Sequence, residues 1–162
     1  MGLMFAGAES FNSDISRWDV SSVKVMSSTF WKAKAVSTIQ LSESKCVCTL
    51  YTKRSLFLCT PPQFNGDLSR WKVGKVENFD NLFLNATVFN TDLSRWNVSN
   101  AKRLNFMFFN ANAFNQDLCG WRDKFPYIPK ATYNLMFQGT SCINQGDPLA
   151  DTKSPFCFDC FF

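Results

Sequence analysis

The residues able to do chemistry stand in columns. Arg17, Arg70 and Arg95 each precede a tryptophan, at intervals of 53 and 25 residues. A row of guanidinium groups can take up a carboxylated or sulfated polysaccharide, or an acidic protein face. The opposing reading is a solvated face, with the arginine stems packed on tryptophan rings. Asp14, Asp67, Asp92 and Asp117 form a second column, and Asn12, Asn65, Asn90 and Asn115 a third. Their plain role is turn chemistry, since both side chains bond nearby backbone groups. Calcium is the sharper reading of the aspartates, but one carboxylate per repeat is thin for a cation that takes about 6–8 oxygens. No cofactor and no metal is expected. Cys119, Cys142, Cys157 and Cys160 cluster near the C-terminus, an even set that reads as two disulfides in an oxidising compartment. The pairing stays open among three alternatives. A zinc site or redox pair at Cys157-Phe158-Asp159-Cys160 is weaker, because structural zinc usually needs two such close pairs or histidine. Asn85-Ala86-Thr87 and Asn97-Val98-Ser99 match the glycosylation sequon, so Asn85 and Asn97 are acceptor candidates; the other reading is repeat consensus that happens to fit. The chain contains no histidine, no Gly-rich phosphate loop and no nucleophile beside a base. No catalytic residue is assigned and no enzyme is expected.

The elements that must position these columns follow from one recurring unit. Four copies read FNSDISRWDV, FNGDLSRWKV, FNTDLSRWNV and FNQDLCGW, placing Trp18, Trp71, Trp96 and Trp121 at intervals of 53, 25 and 25. A fixed period of this length marks a stacked repeat architecture. Around each Trp-x-Val the pattern alternates, which argues a short strand. Farther on, Val76, Phe79, Leu82, Phe83 and Ala86 have the spacing of one helix face, repeated by Ala101, Leu104, Met107, Phe108 and Ala111. Each 25-residue unit therefore predicts one short strand and one short helix, joined by the Phe-Asn-x-Asp turn.

The motif FNxD[IL]SxWxV followed by a Met/Phe-rich segment resembles the BspA-like leucine-rich repeats of bacterial surface proteins and of large microalgal families. MFQGTSC followed by PFCFDC is similar to the ending of microalgal members. The resemblance covers nearly all of the chain outside residues 36–63. It implies an α/β fold: a right-handed leucine-rich-repeat-like solenoid of about four 25-residue strand-plus-short-helix coils. It also implies an exported or surface location and a binding role, with no catalytic residues to carry over. The domain reading is a repeat array over 1–141 and a Cys-containing cap or tail over 142–162.

The long interval exceeds the period by 28 residues. Removing residues 36–63 joins Ala35 to Phe64 and restores every interval to 25. An insertion that leaves the register intact points to an in-frame retained intron; Val36-Ser37 can be encoded as a donor, Gln63 as an acceptor and residues 56–62 mostly by pyrimidines. The alternative is a surface loop, which stacked repeats tolerate. Met1, Met4 and Phe5 align with Met26, Thr29 and Phe30, so the chain opens inside a repeat and reads as part of a longer parent.

Bulk properties exclude several classes. Hydrophobic residues make up 46% of the 162, enough for a core. No stretch reaches the roughly 20 apolar residues of a membrane span, and residues 1–10 do not form a signal peptide. The net charge of +4, without a long basic run, does not argue for nucleic acid. The expected function is a non-enzymatic module at the cell surface or outside the cell, binding a protein or an acidic polysaccharide. The alternative is a structural or adhesive spacer without a specific ligand.

Overall fold

The computed structural model describes residues 1–8, 11, 13–33, 65–124, 133–148 and 156–160, together with the strand pairs at 47–48 and 59–60. It corrects the expected α/β solenoid of strand-plus-helix coils. Among the described residues the only regular elements are strands β1 (Val47–Cys48) and β2 (Cys59–Thr60), which pair antiparallel, and a 3-10 helix at Cys119–Lys124. None falls where the repeat pattern placed a strand or a helix.

The physical reason lies in the backbone of the Met/Phe-rich segment. It is a run of overlapping tight turns, each closed by a hydrogen bond to the residue three back. In one segment these are Leu82 to Phe79, Leu84 to Asn81 and Ala86 to Phe83. Asn81 and Asn85 lie at φ 58°, and Phe106 and Asn110 at φ 55°. Leu3, Gly7, Ser28, Lys32, Leu135 and Gly139 fill the same places in their own segments, also at positive φ. A left-handed residue at every fourth place ends any α-helix, whose residues all need negative φ. The apolar spacing of three and four residues is real, but turns produce it.

The N–H groups freed by this conformation point along the molecule to the next segment. Phe79, Asn81, Phe83 and Asn85 donate to the carbonyls of Arg103, Asn105, Met107 and Phe109. Met26, Ser28, Phe30 and Lys32 donate in the same way to Asn78, Asp80, Leu82 and Leu84. Leu3, Phe5 and Gly7 reach Ser27, Thr29 and Trp31, while Phe106, Phe108 and Asn110 reach Asn134, Met136 and Gln138. The described residues thus form successive tiers, centred near 5, 30, 83, 108 and 137. Isolated parallel bridges join Val25 to Asn78 and Asn78 to Arg103. Inter-tier pairing therefore lies in the expected helix, not at Trp-x-Val. There, turns close on either side instead, at Trp71 on Leu68 and Val76 on Val73.

Aromatic side chains fill the space enclosed by each tier. Phe5, Phe30, Phe83, Phe108 and Phe137 stack in one column with ring centroids 5.5, 5.6, 5.5 and 5.6 Å apart. Such pairs contribute about 0.5–1.5 kcal/mol each beyond burial. Within tiers, Phe83 stacks on Phe89 at 3.9 Å and Phe108 on Phe114 at 4.1 Å. The tryptophans add a directional bond: the indole N–H of Trp71, Trp96 and Trp121 donates to the carbonyl of Ile15, Leu68 and Leu93 respectively. The last two bonds span 28 residues and the first spans 56. The stack therefore closes across the extra residues with its register unchanged. Residues 36–63 themselves lie outside the described residues, apart from the β1–β2 pairing.

A buried carboxylate pins two tiers. Asp80 accepts from Arg103 Nε at 2.5 Å, from Asn105 N at 2.9 Å and from Asn105 Nδ2 at 3.0 Å. Three donors offset the desolvation of a charge with only 8% of its side chain exposed. The C-terminal end is closed by side chains that stand in for a further tier. Asp147 accepts from Leu135 N at 3.0 Å and Met136 N at 2.8 Å, and Gln145 Oε1 accepts from Gly139 N at 2.9 Å. Leu135 and Gly139 occupy the places of Phe106 and Asn110, whose N–H groups bond the following tier.

Two disulfides fasten this end: Cys119–Cys160, with Cα atoms 5.5 Å apart, and Cys142–Cys157, at 4.7 Å. Closing separations of 41 and 15 residues, they restrict the unfolded chain by about 4 and about 3 kcal/mol. Asp147→Ala leaves two N–H groups without acceptors and should lower stability by about 1–3 kcal/mol. Denaturant unfolding checks this, and an unchanged midpoint would contradict the capping role.

Candidate functional site

The FNxD turn sets the geometry of the charged face. In every copy the aspartate accepts the backbone N–H two residues on: Ser16 to Asp14 at 2.9 Å, Ser69 to Asp67 at 2.9 Å, Ser94 to Asp92 at 2.8 Å and Cys119 to Asp117 at 2.8 Å. The column expected to do turn chemistry does so in all four copies. The asparagines act between tiers: Asn90 N donates to Asn65 Oδ1 and Asn115 N to Asn90 Oδ1, both at 2.8 Å. Asn12, like Phe64, lies outside the described residues. Among the described residues no three acidic or cysteine side chains gather as a metal site would require.

These bonds shape the charge. The Ser16 side chain, then its backbone N–H, holds the Asp14 carboxyl below the ordinary aspartate value, and Arg17 acts in the same direction. Ser69 does the same for Asp67, with Arg70 assisting and the Asp14 charge opposing. That opposition places the two carboxylates within electrostatic reach of each other.

One residue after each Ser, the chain presents an arginine to solvent. Arg17, Arg70 and Arg95 are all exposed. Arg17 and Arg70, from successive tiers, line one open cleft of about 290 Å³ with Ser16, Trp18, Asp19, Val20, Ser21 and Lys72. Arg95 is not part of that lining; it stands one tier farther on. Lys72 is the cation that sequence reasoning left out, although its place between Trp71 and Val73 marks it as outward-facing. Among the described residues none of these four cations makes an ion pair; the salt bridges are Glu77–Lys102, Asp80–Arg103 and Arg122–Asp123. Nor, among the described residues, does any of the four lie over a tryptophan; Lys32 makes such a contact with Trp31. Trp18 is 43% exposed, whereas Trp71, Trp96 and Trp121 are 4%, 1% and 0% exposed. The cleft thus combines three cations, one carboxylate and an accessible indole.

The other candidates are placed as follows. Cys119, Cys142, Cys157 and Cys160 are all disulfide-bonded, and the tiers choose the pairing: Cys142 Sγ lies 3.7 Å from the Phe114 carbonyl, beside the buried Cys157. Asn97 is exposed, with Oδ1 accepting from Ser99 N at 3.1 Å. Asn85 is half-buried at positive φ, and its Oδ1 accepts from Asn110 Nδ2 at 3.2 Å. Asn97 is therefore the more accessible sequon. No helix among the described residues is long and apolar enough to cross a membrane.

Residues 1–50 and 50–149 match the family described as "Mycoplasma protein of unknown function, DUF285", and the chain belongs to that family. No curated protein and no solved structure matches it.

The depressed aspartates give stability that is present above the unfolded value and is lost as pH falls through the folded one. Melting temperature should therefore drop once pH goes below about 4. The double variant Asp14→Asn/Asp67→Asn keeps an acceptor for each Ser N–H but removes the titration. Its melting temperature should fall less steeply over the same range; an identical slope in both proteins would contradict the assignment.

Proposed function

We propose that this is a non-enzymatic module that binds acidic polysaccharide through the cleft of Arg17, Arg70 and Lys72, at the cell surface or outside the cell. The observation that carries the reading is the set of three exposed cations in one cleft, free of internal ion pairs among the described residues. A guanidinium presents paired donors that match a carboxylate or sulfate in two parallel bonds. The exposed Trp18 ring adds an apolar face against which the C–H side of a sugar can lie. The two disulfides agree with an oxidising environment, where polysaccharide-facing proteins work. The resemblance of the FNxD motif to BspA-like surface repeats supports the same location.

Retention on immobilised polygalacturonate tests the reading. The unaltered protein should be held at low salt and released as salt rises, and Arg17→Ala/Arg70→Ala/Lys72→Ala should pass through nearly unretarded. Equal, weak retention of both proteins would favour a spacer without a specific ligand.

A further inference from the structure

Arg95 lies outside the cleft, yet the fold fixes its place relative to Arg17 and Arg70. Each of the next two tryptophans anchors to the same relative carbonyl of the tier before: Trp71 to Ile15 at 3.0 Å and Trp96 to Leu68 at 2.9 Å. The turn between each acceptor residue and its tryptophan is closed alike, by Trp18 N on Ile15 O, Trp71 N on Leu68 O and Trp96 N on Leu93 O. The arginine inside that turn is carried in equivalent position from tier to tier. Rings of neighbouring tiers lie 5.5 and 5.6 Å apart in the phenylalanine column and 6.5 Å apart between Trp96 and Trp121. Three cations therefore repeat along the surface, one per tier, at a step of the order of one pyranose in an extended chain.

The C-terminal end of this row is defined. In the fourth copy the arginine is replaced by Gly120, where a Cβ would come within 3.3 Å of the Ser94 carbonyl. Beside it, Arg122 is turned toward the C-terminal segment, with one guanidinium nitrogen donating to the Cys160 carbonyl at 3.0 Å. Next to Arg17 stands the exposed Trp18. The parallel aspartates do not neutralise the row by contact, because Asp14, Asp67 and Asp92 face the N–H groups of Ser16, Ser69 and Ser94.

We infer that the cleft is part of a longer track, on which a linear acidic polysaccharide lies along the stack with one acidic group per tier, past Trp18, Arg17, Arg70 and Arg95. This rests on the polysaccharide reading of the cleft and adds to it the ligand's direction, length and charge spacing. A compact anion uses Arg17, Arg70 and Lys72 alone; only an extended one reaches Arg95.

Calorimetric titration with galacturonate dimer, tetramer and octamer separates the two. Affinity should climb from dimer to tetramer and then level off. Arg95→Ala should weaken tetramer and octamer about three- to fivefold, the scale of an exposed ion pair, and leave the dimer unchanged. Arg70→Ala should weaken all three. Arg95 is exposed and makes no internal ion pair among the described residues, so an unaltered melting temperature verifies that its variant is folded. If Arg95→Ala leaves octamer binding intact while Arg70→Ala weakens it, the track is overturned and the cleft stands. If no oligomer binds the unaltered protein, the polysaccharide reading falls as well. If oligothymidylate of matched charge binds as tightly as the octamer, the glycan assignment is overturned.

Discussion

A buried indole N–H without an acceptor costs about 1–3 kcal/mol; among the described residues Trp31 Nε1 is left in that state, whereas Trp71, Trp96 and Trp121 bury theirs in the aromatic core with a partner. Each is satisfied by one carbonyl of the preceding tier. The bond is directional, so it fixes rotation and height of one tier on the next, which stacked phenylalanine rings alone do not. Irregular backbone needs such a constraint. A helix or a sheet satisfies its own N–H and C=O groups, but a run of turns with left-handed residues does not, and buried groups must find partners. Here they find them in the neighbouring tier, and where no further tier follows, Asp147 and Gln145 take over. Stability is therefore a property of tier interfaces.

The same constraint reaches the surface. Because the turn from Asp to Trp is closed identically in each copy, whatever stands between them is repeated in register. Aspartate is spent on the turn's own N–H, and arginine is left outside. A column of fixed carboxylates beside a column of exposed guanidinium groups follows from the five residues from Asp to Trp and their bond to the tier below. The field is modest, since the carboxylates remain charged beside the cations.

Much of the core was legible in the sequence. Trp71, Trp96, Phe83, Phe89, Phe108 and Phe114 occupy repeat positions and are buried. The set of four bonded cysteines was legible, but the choice of pairing was not, because it depends on how the C-terminal segment folds back over the last tiers. Secondary structure was misread because apolar spacing of three and four residues fits a helix and a run of turns equally. The discriminating signal was present at the other positions. Asn81 and Asn85, Gly7, Asn110 and Gly139 sit where left-handed conformation is needed, and asparagine and glycine tolerate it best. Leu3, Ser28, Lys32, Phe106 and Leu135 hold the same conformation and blur that signal. The tier of Met136 and Phe137 was hidden for a different reason: it lacks the FNxD copy and pairs at an interval of 28 residues where the preceding tier pairs at 24. Lys72 joined the cleft through the adjacent tier, which no single repeat reveals.

Tiers bond to one another directly, across the residues between Ala33 and Asn65. Deleting residues 36–63 tests this most directly. The shortened protein should fold with the same near-ultraviolet signature of packed tryptophans. Its stability should be higher by about 0.6 kcal/mol, because halving the 56-residue span of the Trp71–Ile15 contact removes one doubling of loop length. Loss of the tryptophan signature, or unfolding at a lower denaturant concentration than the unaltered chain, would contradict it.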